Sequence, residues 1–192
     1  MKTIITIQHT QSIHHTNGMV GSQTDWALTE LGISQAKHIG ENLRTELTGK
    51  KLKIYSSDLL RAIQTAENVG GYLGLTPVIR SELRERNLGK CCGKSIQWLR
   101  ENIECKEVTV DDRMFSDAES RRDEWNRLKP FFDEIMSNDE ENITRIIHAH
   151  PKLHLQMVVY YQTSISLTPC KVFHRKKAHY SLGGQMIFER GF

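Results

Sequence analysis

Two histidines stand where an apolar run stops abruptly, and that setting is the one in which a side chain of this type can do chemistry. The stretch Ile4-Ile5-Thr6-Ile7-Gln8-His9-Thr10 is apolar and β-branched until it meets His9. A run that is nearly all apolar suits a strand buried on both faces of a mostly parallel sheet. In such sheets the chemistry sits just beyond the carboxyl ends of the strands, so His9 reads as a nucleophile held at a strand end. The plain alternative is a histidine that begins a polar loop. The second apolar run, Ile143 to Ala149, also ends on a histidine, His150. His148 lies two residues earlier and shares its face, because strand side chains alternate.

The elements that must position these residues are legible from periodicity. Gln11 to Ala27 is polar, contains Gly18 and Gly21, and reads as a long loop of the kind that carries function. Thr29 and Glu30 open a helix with Leu31, Ala36, Ile39, Leu43 and Leu47 on one face, ending near Gly49. Leu52 to Tyr55 is a short strand. Ser56-Ser57-Asp58 is expected to cap the next helix, which runs through Leu60, Ile63, Ala66 and Val69 until Gly70, Gly71 and Gly74 end it. Pro77 to Ile79 can form a strand, and Ser81 to Gly93 is a charged loop. Ser95 to Cys105 carries a helical stripe. Ser116-Asp117-Ala118-Glu119 has capping-box spacing ahead of a helix that Pro130 is expected to kink or break. After the strand at 143–149, Pro151 suits the first turn of a helix over Leu153 to Tyr161. Val172 to Phe173 and Gln185 to Glu189 read as strands joined by a basic turn, His174 to Tyr180. Alternating short strands and amphipathic helices predict one three-layer α/β/α sandwich with a mostly parallel sheet, and His9 and His150 at the same sheet edge.

Bulk composition bounds the function. A chain of 192 residues suits one domain with one core. With 26% charged residues, 38% hydrophobic residues and a net charge of +3, it is expected to bind no nucleic acid, though an anionic small substrate is compatible. No run approaches the roughly 18 apolar residues of a membrane span, so no membrane partner and a cytoplasmic location are expected. Cys91, Cys92, Cys105 and Cys170 include an adjacent pair but no CxxC spacing, which signals neither a disulfide framework nor structural zinc. The oligomeric state is not encoded in any readable feature.

The motifs together resemble the histidine phosphatase superfamily, also called phosphoglycerate mutase-like. Gln8-His9-Thr10 stands where that family has Arg-His-Gly. Thr24-Asp25, then Leu28-Thr29-Glu30-Leu31-Gly32 with Gln35-Ala36, follow at the family's spacing. Tyr55 to Glu67, which contains Ser56-Ser57-Asp58 and Arg61-Ala62, is close to its second motif. Leu83-Arg84-Glu85 with Gly89 and Gly93 resembles its acid loop, Glu119-Ser120 with Arg127 the helix before its last catalytic strand, and Ala149-His150-Pro151 its Ser-His-Gly.

The resemblance implies a phosphoglycerate mutase-like fold and a phosphatase working through a phosphohistidine. A neutral imidazole is a competent phosphoryl acceptor, and His9 takes that role by resemblance. Arg61, His15, Gln8 and Thr10 fall at positions that would bind the substrate phosphate, where planar or neutral donors hold it in line. Glu85 is expected to protonate the leaving oxygen and then deprotonate water, and His150 to donate as a second catalytic histidine. No metal or cofactor is required.

The departures fall inside the site. Gln8 replaces an arginine, Thr10 a glycine, His15 an asparagine and Pro151 a glycine. Loss of the arginine fork, at about 1.5 to 3 kcal/mol per charge-assisted hydrogen bond, corresponds to roughly 10² to 10⁴ in rate. His14, His15, Lys90 and the segment Arg175 to Lys177 are candidates to compensate. The expected function is therefore hydrolysis, with reduced activity, of a small phosphorylated metabolite. The alternatives are a degenerate member that binds a phosphorylated ligand or protein partner without catalysis, and a Zn²⁺ site built from His9, Glu85, His148 and His150.

Overall fold

The computed structural model describes residues 3–137 and, as backbone, the strands at 143–148, 171–174, 179–180 and 186–187. The strands in chain order are β1 (Thr3–Ile7), β2 (Lys51–Ser56), β3 (Val78–Ile79), β4 (Ile143–His148), β5 (Lys171–His174), β6 (His179–Tyr180) and β7 (Met186–Ile187). The helices are α1 (Glu30–Glu46), α2 (Leu60–Leu73), α3 (Ile96–Asn102) and α4 (Arg121–Ser137). β1 to β5 form one parallel sheet in the order β3-β2-β4-β1-β5.

Alternation along β1 explains its composition. Ile4 packs with Tyr55, Leu83, Leu128, Phe131, Phe132 and Ile135 on the face covered by α4. Ile5 and Ile7 pack with Leu43, Leu47, Ile54, Ala66 and Val69 on the face covered by α1 and α2. Both faces are apolar because each carries a helix layer, so the α/β/α sandwich follows from the strand as much as from the helices. A third, smaller core of Val20, Cys91, Phe115 and Ala118 ties the loops above the sheet together. No helix among the described residues is long and apolar enough to cross a membrane.

β1 and β4 are neighbours with Ile7 opposite His148, so their carboxyl ends leave the sheet side by side, as expected from the two strand-end histidines. His150, Pro151 and the expected helix at 153–161 lie outside the described residues.

Four local expectations are corrected. The α2 N-cap is Leu59, without a side-chain cap. Of the three residues expected there, Ser56 Oγ donates to Ser57 O at 3.0 Å, Asp58 pairs with Arg84, and Ser57 Oγ is buried with no hydrogen-bond partner among the described residues. The capping box expected at 116–119 is also displaced: Ser120 Oγ accepts from Asp123 N at 3.1 Å, while Glu119 is drawn to Arg127. Pro130 does not break α4, which continues to Ser137. Finally, His179–Tyr180 is strand rather than turn, because it pairs antiparallel with Met186–Ile187 in a separate small sheet.

Candidate active site

His9 follows the end of β1 and is 9% exposed. Its Nδ1 lies 2.9 Å from Thr10 O, and a carbonyl only accepts, so Nδ1 carries the proton. That leaves the lone pair on Nε2, where Arg61 Nε donates at 3.2 Å. The imidazole is thereby held in one tautomer with its unprotonated nitrogen facing a guanidinium.

Arg61, 1% exposed on the first turn of α2, is the hub of the site. Its Nη1 donates to Thr24 O at 2.7 Å, and its Nη2 to Ser22 O at 2.6 Å and to Glu85 Oε2 at 2.8 Å. One buried cation therefore joins the imidazole nitrogen on one side to the carboxylate on the other. Burying it is tolerable because it is paired and its other hydrogen bonds are satisfied by carbonyls.

The loop carbonyls are placed by a strained residue. Ser22 has φ +49°, in the left-handed region that disfavours a side chain. Its hydroxyl donates to Arg86 O at 2.7 Å and accepts from Leu88 N at 3.0 Å, which locks the conformation that turns Ser22 O toward Arg61. Two arginines anchor the backbone that leads into Glu85. Arg84 forms a bidentate pair with Asp58, with Nε to Oδ1 at 2.6 Å, and this guanidinium holds the Asp58 carboxyl below the usual carboxylate range. Arg127, fixed by Glu119, donates to Glu82 O at 2.6 Å and Arg84 O at 3.0 Å.

The remaining expected residues divide. His15 stacks on His9 at 5.3 Å between ring centres, and its Nδ1 accepts from Ser12 N at 3.1 Å. Gln8 is half-buried just beyond β1. Thr10 is buried, but its N–H and hydroxyl approach Thr65 Oγ1 at 3.3 and 3.4 Å, so α2 takes up the groups expected to face a phosphate. His150 is outside the described residues.

Of the candidate compensators for the absent arginine, His14 sits within 5.5 Å of His9 between ring centres. Burial first, then the His15 and Arg61 charges, holds it down to about 4, so it is neutral at pH 7 and adds no positive charge. Lys90 pairs with Glu104. Arg175 to Lys177 lie outside the described residues. Sequence reasoning missed the positioning roles of Ser22, Thr24 and Asp58: Ser22 and Thr24 act through backbone carbonyls, which no side-chain pattern signals, and Asp58 was expected as a helix cap. Gln64 is a further one: its Oε1 accepts from Leu28 N at 2.7 Å and anchors the loop before α1.

A strand-end imidazole, a buried arginine and a carboxylate thus meet beyond the edge of a parallel α/β sheet. The chain belongs to the histidine phosphatase superfamily (branch 1), whose family model matches residues 4–180. It is 27% identical over 161 residues to a Hydrogenobacter thermophilus protein named as a phosphoserine phosphatase, covering 77% of this chain and 73% of that one. It is 31% identical over 139 residues to the 2,3-bisphosphoglycerate-dependent phosphoglycerate mutase of Bartonella quintana, covering 68% and 66%. A solved structure described as mycobacterial hydrolase 1 superposes with a TM-score of 0.68 at 26% identity, covering 82% of this chain and 79% of that one.

Proposed function

We propose that the protein is a phosphomonoester hydrolase acting on a small phosphorylated metabolite through a phosphohistidine at His9. One observation carries the reading: the Arg61 guanidinium spans from His9 Nε2 at 3.2 Å to Glu85 Oε2 at 2.8 Å, so nucleophile, cation and proton donor share one centre. In the first step Glu85 takes a proton from the bound monoanionic phosphate ester as Arg61 turns to the phosphoryl oxygens, the Nε2 lone pair attacks phosphorus, the P–O ester bond breaks, and Glu85 passes that proton to the leaving oxygen; the proton it regains from water in the second step leaves with the product phosphate. In the second, the Glu85 carboxylate takes a proton from water, the new P–O bond forms, the P–N bond breaks, and neutral His9 is regenerated. Arg61 exchanges its His9 and Glu85 contacts for phosphoryl oxygens along the way, which keeps the charge matched. By the family resemblance His150 would serve as a further donor, and a cytoplasmic location goes with this reading.

The rival reading, a non-catalytic phospho-ligand binder, is favoured by the neutral groups around the nucleophile: Gln8 for arginine and His14 uncharged at pH 7. A phosphatase panel that includes phosphoserine, phosphoglycerates and phosphohistidine protein, run on wild type and Gln8→Arg, separates the two. Acid-labile phosphate trapped on His9, absent in His9→Ala, is the expected result. Full activity in His9→Ala overturns the mechanism, and ligand-induced stabilisation with no phosphate released from any substrate favours the binder.

A further inference from the structure

We propose that His9, His14 and His15 form a binding site for one divalent transition-metal ion of the zinc class, and that an ion held there blocks phosphoryl transfer by taking the Nε2 lone pair of His9. The second clause rests on the reading of His9 as the phosphoryl acceptor; the first does not.

The three imidazoles offer ligand nitrogens that all lie within 4.8 Å of one another. The ring centres are 4.0 Å apart for His14 and His15, 5.3 Å for His9 and His15, and 5.5 Å for His9 and His14. Nitrogens at about 2.0 to 2.1 Å from a tetrahedral ion stand roughly 3.4 Å from each other, so small rotations of His14, half-buried, and His15, exposed, complete the set. Three neutral nitrogen donors suit Zn²⁺, Ni²⁺ or Cu²⁺ and not the hard, oxygen-seeking cations.

The surroundings orient the ligands as well. His9 Nδ1 is held by Thr10 O at 2.9 Å, and His14 Nδ1 is 2.6 Å from Ser12 Oγ, so in both rings an oxygen partner on Nδ1 turns Nε2 toward an ion. His14 fits there because residue 21 is glycine: a Cβ on Gly21 would stand 2.8 Å from His14 Nε2. The ion would displace the Arg61 Nε contact on His9 and the Ser12 N contact on His15, and the nearby Arg61 charge is already offset by Glu85. The fourth position is open to water or to a phosphate oxygen. Spacing of the form His-x₄-His-His follows no common metal motif, so only the turn over Ile13–His15 reveals the cluster.

The test uses the tag-free full chain. Calorimetric titration with Zn²⁺ is expected to give one ion per chain, and Co²⁺ to show the intense visible bands of four-coordinate geometry. His14→Gln and His15→Asn, two separate variants, are each expected to weaken Zn²⁺ at least tenfold. No saturable one-to-one binding, or wild-type affinity in both folded variants, overturns the site. In a p-nitrophenyl phosphate assay Zn²⁺ is expected to abolish hydrolysis and a chelator to restore it. Binding through the three histidines with hydrolysis unaffected overturns the blocking role and leaves the site standing. If wild type hydrolyses nothing, the catalytic reading fails while the isotherms still decide the site.

Discussion

At the scale of single residues Arg61 ties the site together. Its guanidinium makes four hydrogen bonds, to His9, Thr24, Ser22 and Glu85. A lysine keeps the charge but not the planar fork, so Arg61→Lys is expected to lower kcat/KM by about a hundredfold or more, read by steady-state hydrolysis. Glu85→Gln keeps an acceptor for Arg61 and removes the proton in transit. It is expected to fold normally and to lose about 10² to 10⁴ in kcat, with circular dichroism checking the fold. Ser22 acts at one remove. Ser22→Gly would relax the positive φ yet lose the hydroxyl bonds to Arg86 O and Leu88 N, so the Ser22 O contact on Arg61 loosens. The expected outcome is a drop of about tenfold in kcat with stability changed by under about 1 kcal/mol, since backbone relief and lost hydrogen bonds oppose each other.

At the scale of elements, α1 and α2 aim the loop that begins at His9. Thr29 caps α1 by accepting from Gly32 N at 3.1 Å, and Thr29 N donates to Gln11 O at 3.0 Å, so the helix start is pinned to the chain just past His9. The glycine in the Leu28-Thr29-Glu30-Leu31-Gly32 string has a definite cause there. A Cβ on Gly32 would fall 1.9 Å from Gln11 O, a backbone atom that cannot step aside. Gly32→Ala is therefore expected to cost about 1 to 3 kcal/mol, seen as a fall of several degrees in Tm, and to reduce activity by shifting the loop. α2 works from the other side, with Thr65 reaching the Thr10 N–H and hydroxyl.

Across the whole molecule, the face covered by α4 holds a buried acid whose ionisation opposes the fold. Glu124 is 7% exposed, and burial pushes its carboxyl up from 4.5 to about 7, against the pull of Arg86 and Arg127 and with the push of Glu119 and Glu85. Its folded pKa lies above the unfolded one, so the native state holds the extra proton between these values. Glu124 thus favours folding fully below about 4.5, and that contribution is lost as pH rises through about 7. The span corresponds to at most about 3 kcal/mol. Glu124→Gln is expected to raise stability at pH 8 relative to wild type and to flatten its pH dependence between those limits, measured by urea unfolding at several pH values. Equal pH slopes in the two proteins would show that Glu124 titrates alike in the folded and the unfolded chain.

The order of elements, the parallel sheet and the placement of His9 beyond β1 were legible in the sequence because they follow from local signals: periodicity, a strand apolar on both faces, and caps such as Thr29. Arg61, Glu85 and Arg127 were legible only through their resemblance to a family, since a lone charged side chain carries no period. The helix starts at Leu60 and Arg121 were misplaced because several polar residues precede each, and tertiary partners decide which becomes the cap. Asp58 went to Arg84 and Glu119 to Arg127. What only the tertiary structure decided is the state of the site: the tautomer of His9, the Thr65 partner of Thr10, the neutrality of His14 and the clustering of three imidazoles. The first three depend on contacts with α2 some fifty residues away, and the imidazole cluster on the turn over Ile13–His15; burial and dielectric at such contacts are properties of the fold.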